Sequence, residues 1–407
     1  MTAVRILRLA AGGDGVGRLE DGRTVFVPRT SPGDLVEITQ LRAHRRYARA
    51  RSSRVLEPSA DRVEPRCPHY VHDQCGGCQL QHLDSTAQRE ARRGFVGDAL
   101  RRIARLDVPD PEIVPAGEEF EYRTKVTLAV EEGGRRIGLH PLDRPDRVFD
   151  LVRCHIAASE LMSLWAEVRG LRGLLPSTLR QIVLRLDRGG GLHLLLATGE
   201  RERWDGADAL HRELAARGSD ATLWVQPEGG EAVAMAGAAG PFPATVFEQV
   251  HPAMGDKVRA FALAALGEVQ GHHVWDLYAG IGETTSALVL AGASVESVES
   301  DRRAVAEAEA RGPAAERHVG RVERILGRLR TPSLVITNPP RTGMDERVAA
   351  ELERLSPSRI VYLSCDPATL ARDLTRMPSF RLVTAVAFDL FPQTAHVETV
   401  AVLDRAS

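Results

Sequence analysis

The five cysteines of this 407-residue chain separate by context into two chemistries. Cys67 is followed, after seven intervening residues, by Cys75-Gly-Gly-Cys78, and Cys154 lies far downstream. Four thiolates suit an iron–sulfur cluster or a structural zinc. His69, His72 and His155 are near enough in sequence to be alternative ligands. Cys365 stands apart in YLSCDPATLARD (362–373), just past an apolar run. Asp366 reads as a helix N-cap and Pro367 as the first helical residue. A thiol placed there meets the positive end of the helix dipole, which favours thiolate and lowers the pKa. Cys365 is thus the expected nucleophile. Glu398, in the apolar run VETVAVL, is the candidate base on the same sheet.

A second constellation suits a nucleoside cofactor. DLYAGIGETT (276–285) is a glycine-rich turn between a strand and a helix, where Gly280 and Gly282 let backbone approach a ligand. Glu299 follows Gly280 by 19 residues at the end of the next strand, where an acid can grip ribose hydroxyls. The turn lacks the three-glycine dinucleotide pattern. That favours S-adenosylmethionine, which has no pyrophosphate to cradle, over NAD. NPPRTG (338–343) follows another strand. Its prolines stiffen the loop and hold the donor and acceptor of Asn338 at the pocket.

These residues need elements to position them. From 246 onward strands and helices alternate, with strands over 274–278, 295–298, 334–337 and 360–364 and helices from 284, over 302–311, over 345–355 and from 367. Repeated βα units predict a parallel sheet with helices on both faces and ligands at the strands' carboxyl ends. The β-rich runs 380–390 and 397–403 allow an antiparallel last strand. Residues 108–245 mix strand and helix, with strands over 126–130 and 192–198, and 227–243 reads as a linker. Residues 84–106 predict a helix with Arg89, Arg92, Arg93, Arg101, Arg102 and Arg105 on its polar face. Residues 1–57 hold five short runs of strand type, at 4–9, 16–19, 24–27, 35–40 and 47–55, mostly separated by turn residues. They predict a small OB-like barrel. Its last hairpin sets Arg42, Arg45, Arg46 and Arg49 around Tyr47. Arginine forks suit phosphates and an aromatic ring can stack on a base.

The chain holds 53 basic and 55 acidic side chains, a net charge of −2. As an average this argues against a purely electrostatic nucleic-acid binder. The average hides an asymmetry. Residues 1–107 carry nineteen arginines against thirteen carboxylates, a net +6, which leaves −8 for the rest. A basic N-terminal part predicts an anionic partner for one face. No apolar run approaches the roughly 18–20 residues of a membrane span. The N-terminus does not read as a signal peptide, and a cytoplasmic location is expected. There an odd cysteine count is a poor disulfide framework.

Taken together, CGGC, the glycine loop, PPR, SC-x-P and HVET resemble the uracil-5 RNA methyltransferases, in that family's order and along essentially the whole chain. The resemblance implies an α/β protein of three domains. These are a TRAM RNA-binding barrel at 1–57, a central α+β domain with a [4Fe-4S] cluster at 58–245, and a Rossmann-like class I methyltransferase domain at 246–407. It implies methyl transfer from S-adenosylmethionine to C5 of uridine, with Cys365 as nucleophile and Glu398 as base. Gln249, Tyr278, Glu283, Glu299 and Asn338 match cofactor-contacting positions. Cys67, Cys75, Cys78 and Cys154 match the cluster ligands, with zinc as the alternative. Three departures stand out: Asn338 where the family usually has Asp, His251 where it usually has Asn, and a first cysteine gap two residues longer than the commonest form. The expected substrate is structured RNA, 23S ribosomal RNA in preference to tRNA, and the expected state is a monomer. The competing readings are an amino-group methyltransferase using Asn-Pro-Pro, a cytosine-5 RNA methyltransferase, a methylthiotransferase, and a catalytically weak RNA-binding homologue.

Overall fold

The computed structural model describes residues 2–131, 133–199, 204–237 and 249–406. The N-terminal strands Thr2–Leu9, Gly15–Arg18, Thr24–Val27, Leu35–Ala43 and Tyr47–Glu57 close into a barrel, the last strand lying between the third and fourth. Alternate residues point inward, so Val4, Ile6, Val25, Val27, Val36, Ile38, Ala48 and Ala50 form its core. Closure leaves no strand edge open to pair with another chain.

The central layer is a seven-stranded sheet in the order Val233–Ala236, Ala221–Pro227, Leu192–Thr198, Leu179–Leu186, Lys125–Val130, Ile137–Leu139 and Phe149–Asp150. Helices Ser159–Gly170 and Ala207–Ala216 bury Leu161, Leu164, Trp165, Leu210 and Leu214 in the core it shares. The stretch 227–243, read as a linker, includes the edge strand Val233–Ala236. Residues 238–248, and with them the 245/246 boundary, lie outside the described residues.

The C-terminal sheet has eight strands in the order Glu316–Val319, Ser294–Glu299, His273–Leu277, Leu334–Thr337, Arg359–Ser364, Glu398–Arg405, Phe380–Phe388 and Glu112–Val114. The first five run parallel, and Glu398–Arg405 runs antiparallel to both its neighbours. Strands buried on both faces read as continuous apolar runs, which is why LVIT and IVYLS were legible. The short edge strand Glu316–Val319 and the helix Pro252–Leu266 carry weaker patterns.

One assignment changes. Residues 85–114 were expected in the central domain, yet helix Ser85–Arg102 and strand Glu112–Val114 complete the C-terminal sheet. Val96 and Leu100 pack on Ala387 and Val397. Arg92 is likewise not on a polar face. It is 1% exposed and pairs at 2.8 Å with the equally buried Asp389. Its charge is tolerated only because the partner is present; losing one side of such a pair costs about 3–5 kcal/mol. Arg105 lies beyond the helix end. Among the described residues no helix is long and apolar enough to cross a membrane.

Candidate active site and cysteine centre

The parallel strands deliver their carboxyl ends to one rim of the sheet. Leu277 pairs with Thr337, and Thr337 with Tyr362, so Tyr278, Asn338 and the residues after Tyr362 emerge side by side. On the antiparallel strand Ser364 pairs with Thr399. One step further along that register sets Cys365 opposite Glu398. A cavity of about 790 Å³ opens there, lined by Gln249, Tyr278, Gly280, Glu283, Glu299, Asn338, Cys365 and Glu398. The candidate cofactor contacts, nucleophile and base thus face one space, while Gly282 of the glycine loop does not line it. Arg259, Arg341 and Phe391 line it as well. Arg341 stood in view in NPPR. Arg259 sits on the unread helix Pro252–Leu266, where it pairs with Glu283, and Phe391 had no motif of its own.

The glycine loop is bent tightly. Tyr278, Gly280 and Gly282 all have positive φ, at 62°, 55° and 74°. Left-handed backbone at Tyr278 is strained, and such strain persists where surrounding contacts over-determine it. A buried bond from Thr285 Oγ1 to Asp276 Oδ2 (2.5 Å) ties the helix after the loop to the strand before it. Glu299 Oε2 accepts from the Gly280 amide at 2.9 Å, and Oε1 from the Asp301 amide at 2.8 Å. The carboxylate is therefore held at the strand end by backbone, with lone pairs left for a ligand's hydroxyls. A Cβ on Gly282 would lie 2.9 Å from the Ala308 Cβ, and its φ disfavours a side chain in any case. Gly282→Ala is expected to weaken S-adenosylmethionine binding roughly five- to 150-fold, since about 1–3 kcal/mol of strain falls on the loop that would cradle it. Titration calorimetry measures this.

The NPPR loop is braced from below. Asp373 is fully buried and accepts from Tyr362 Oη and the Met344 amide, both at 2.7 Å. Arg372 and Arg376 balance its charge. The Asn338 amide nitrogen donates to Leu277 O at 3.1 Å, which fixes where its side chain starts.

The electrostatics of Cys365 differ from the expectation. Asp366 does cap helix Pro367–Thr375, accepting from the Ala368 and Thr369 amides at 2.9 and 3.0 Å. The cap therefore takes the amides that would have stabilised a thiolate. Burial pushes the Cys365 thiol above its ordinary value, the Glu398 charge adds to this, and Arg341 pulls it back. Glu398 is 2% exposed, and burial alone pushes its carboxyl up to about 8. Both groups start largely protonated at neutral pH, so steps that need thiolate or carboxylate speed up as pH rises towards and beyond 8.

Cys67, Cys75, Cys78 and Cys154 line a second cavity of about 430 Å³. Burial first, then their mutual repulsion as thiolates, raises Cys78 and pushes Cys75 up to about 12. Burial raises Cys154 too. Thiols raised in this way, as Cys75, Cys78 and Cys154 are, ionise readily only beside a cationic ligand. Arg123, Lys125 and Arg185 line the same cavity, and burial with the charges of Arg185 and Arg123 lowers Lys125. A net anionic metal–thiolate group would relieve that crowding. His69 is committed elsewhere, with Nδ1 on Asp73 at 2.7 Å and Nε2 accepting from the Val152 amide at 3.0 Å. His155 lines the cavity and His72 does not. A separate group, Glu296, Glu316 and His318, gathers at the far edge of the C-terminal sheet.

On the barrel, Arg42, Arg45, Arg46, Tyr47 and Arg49 are all exposed. Arg49 lies 3.5 Å from Asp14, whereas Arg42, Arg45 and Arg46 have no ion pair among the described residues. Tyr47 stacks on His44 at 4.4 Å.

A parallel sheet with an antiparallel strand inserted before its edge, a glycine loop after one strand and an acid at the end of the next define a class I S-adenosylmethionine-dependent methyltransferase. The comparisons agree and go further. Residues 2–52 match the TRAM domain. Residues 302–406 match the family described as tRNA (Uracil-5-)-methyltransferase. The chain is 32% identical to the 23S rRNA (uracil(1939)-C(5))-methyltransferase RlmD of Thiobacillus denitrificans, over 99% of each chain. It is 31% identical to that of Dechloromonas aromatica over 95% of each. Its fold matches the tRNA (uracil-54, C5)-methyltransferase of Pyrococcus abyssi, solved with S-adenosyl-L-homocysteine, with a TM-score of 0.75, 23% identity, and coverage of 98% of this chain and 100% of the other. The protein belongs to the uracil-5 RNA methyltransferase family.

Proposed function

We propose that the protein methylates C5 of a uridine in 23S ribosomal RNA, with Cys365 as nucleophile and Glu398 as base. The observation that carries this is the Cys365–Glu398 juxtaposition across two adjacent strands, on the floor of the cavity lined by Gln249, Tyr278, Gly280, Glu283, Glu299 and Asn338. C5 of uracil is a weak nucleophile. Addition of the Cys365 thiolate to C6 generates an enolate with carbanion character at C5. S-adenosylmethionine, when bound, supplies the electrophilic methyl. The carboxylate of Glu398 then takes the C5 proton, the C5=C6 bond reforms and Cys365 departs. A base in a duplex or stack must be flipped out to enter such a cavity. Arg42, Arg45, Arg46, Tyr47 and Arg49 would hold the flanking RNA. An amino-group methyltransferase would leave the Cys365–Glu398 pair without a task.

The preference for 23S RNA rests on the names of the two full-length relatives. The test is to map 5-methyluridine in 23S RNA and tRNA from cells lacking the gene. Loss of one 23S site is expected; loss confined to tRNA would reassign the substrate, and no loss would remove the reading.

For the second cavity we favour a [4Fe-4S] cluster on Cys67, Cys75, Cys78 and Cys154. The four cysteines line one cavity of about 430 Å³, which supports a four-thiolate metal group there. Anaerobically purified protein is expected to be brown and to hold about four irons. Zinc without iron in elemental analysis would assign the site to zinc. We place the protein in the cytoplasm as a monomer of three units, with 85–114 docked on the transferase sheet.

A further inference from the structure

The segment 389–397 turns the chain from strand Phe380–Phe388 back into Glu398 and carries Phe391 into the cofactor cavity. Two sets of contacts hold it: helix Ser85–Arg102, through Gln88 to Gln393 and Arg92 to Asp389 and Thr394 O, and a second set from the cysteine-bearing segment and Tyr122. The amides of Gln79 and Leu80 donate to Gln393 O at 3.2 and 3.0 Å. The Gln79 side chain accepts from the Ala395 amide at 3.2 Å. Tyr122 Oη donates to Pro392 O at 2.9 Å. Gln393 itself has a φ of 70°, a backbone state that persists only where its surroundings impose it.

The second set of contacts starts at the cysteine centre. Gln79 directly follows Cys78 in the chain. Tyr122 packs in one apolar cluster with Cys67 and Cys78, and its ring stacks on His251 at 4.8 Å. His251 is two residues from Gln249 in the cofactor cavity, and Val250 between them lines the cysteine cavity. The cysteine-bearing segment has little structure of its own, a four-residue helix Pro68–Val71 and turns. A metal group joining Cys67, Cys75, Cys78 and Cys154 would be its main cross-link.

We propose that Tyr122 and Gln79 are positioning residues that dock the active-site loop 389–397 onto the cysteine centre, so that loss of the metal group loosens the loop and slows methylation. The inference rests on the roles given above to Cys365 and Glu398 for its catalytic consequence, and on the loop contacts for its structural one.

Amide hydrogen exchange on the full chain tests it, with the metal group in place and after its removal by oxidation and chelation. Removal is expected to speed exchange across 389–397 about five- to tenfold, the factor one hydrogen bond represents. Strand Arg359–Ser364 should stay protected. Tyr122→Phe keeps the ring and drops the hydroxyl. It is expected to retain its iron, to speed loop exchange to a similar degree, and to lower kcat with an unchanged KM for S-adenosylmethionine. Gln79→Leu should act in the same direction. A loop indifferent to both metal removal and Tyr122→Phe, or a rise spread evenly over the whole sheet, overturns the proposal. A protein that forms no adduct with 23S RNA, yet shows the loop response, refutes the proposed function and leaves the docking intact.

Discussion

Incubated with S-adenosylmethionine and 5-fluorouridine-substituted 23S RNA, the protein is expected to form a covalent complex that survives denaturation, and Cys365→Ser none. Fluorine replaces the C5 proton that Glu398 would remove, so elimination stops after methyl transfer and the Cys365–C6 bond persists. Serine offers a hydroxyl far harder to ionise in the same half-buried place. Turnover on natural RNA should fall roughly 10³-fold or more, the scale on which loss of a nucleophile acts. Thermal stability should barely move, because Cys365 is only partly buried and a hydroxyl replaces a thiol of similar shape. A gel of labelled RNA reads the complex directly. If Cys365→Ser formed the complex in wild-type yield, the cysteine would have no place in the mechanism.

Glu398→Gln gives the second large effect, and it differs in kind. Addition and methyl transfer need no carboxylate at Glu398, whereas loss of the C5 proton does. Turnover is expected to fall about 10²–10⁴-fold, while a methylated RNA–protein complex accumulates on natural uridine. Removing the charge also relieves one cause of the raised Cys365 pKa, so complex formation should set in at lower pH than in the wild type. Stability moves the other way. Burial raises the Glu398 carboxyl from 4.5 to about 8 in the folded protein. The stability tied to its protonated form is full below 4.5 and is lost as pH rises through 8. The glutamine variant should therefore melt above the wild type at about pH 8.5, with the difference closing towards about pH 5. A constant difference across that range would mean that Glu398 titrates normally.

Much of this site was legible because each residue sits where a strand stops. Tyr278, Glu299, Asn338 and Cys365 each follow an apolar run that could only be a buried strand, and a parallel sheet brings such ends together. Glu398 was readable as a charge inside an apolar run. The barrel was legible because its strands are short and turn residues such as GGDG and SPGD bound them. Other features depend on partners distant in sequence. Arg92 looks like any surface arginine until Asp389 covers it, and Tyr122 is one aromatic among many until Pro392 and the cysteines surround it. The helix end beside Cys365 was visible in the sequence, but the burial and the Glu398 charge that raise its thiol come from elements distant in sequence, and the cap Asp366 takes the Ala368 and Thr369 amides.

Strand Glu112–Val114 and helix Ser85–Arg102 lie on the transferase sheet, far in sequence from its other strands. The catalytic half is therefore not a detachable module. A fragment beginning near 246 would leave the Phe380–Phe388 edge bare and strip the apolar cover from Ala387 and Val397, a surface prone to self-association. A workable minimal enzyme has to carry 85–114 with it, joined by a new loop or added as a separate chain. Recombination that swaps only the C-terminal half between relatives has to keep this seam matched, which ties the RNA-binding end and the catalytic end into one inherited unit.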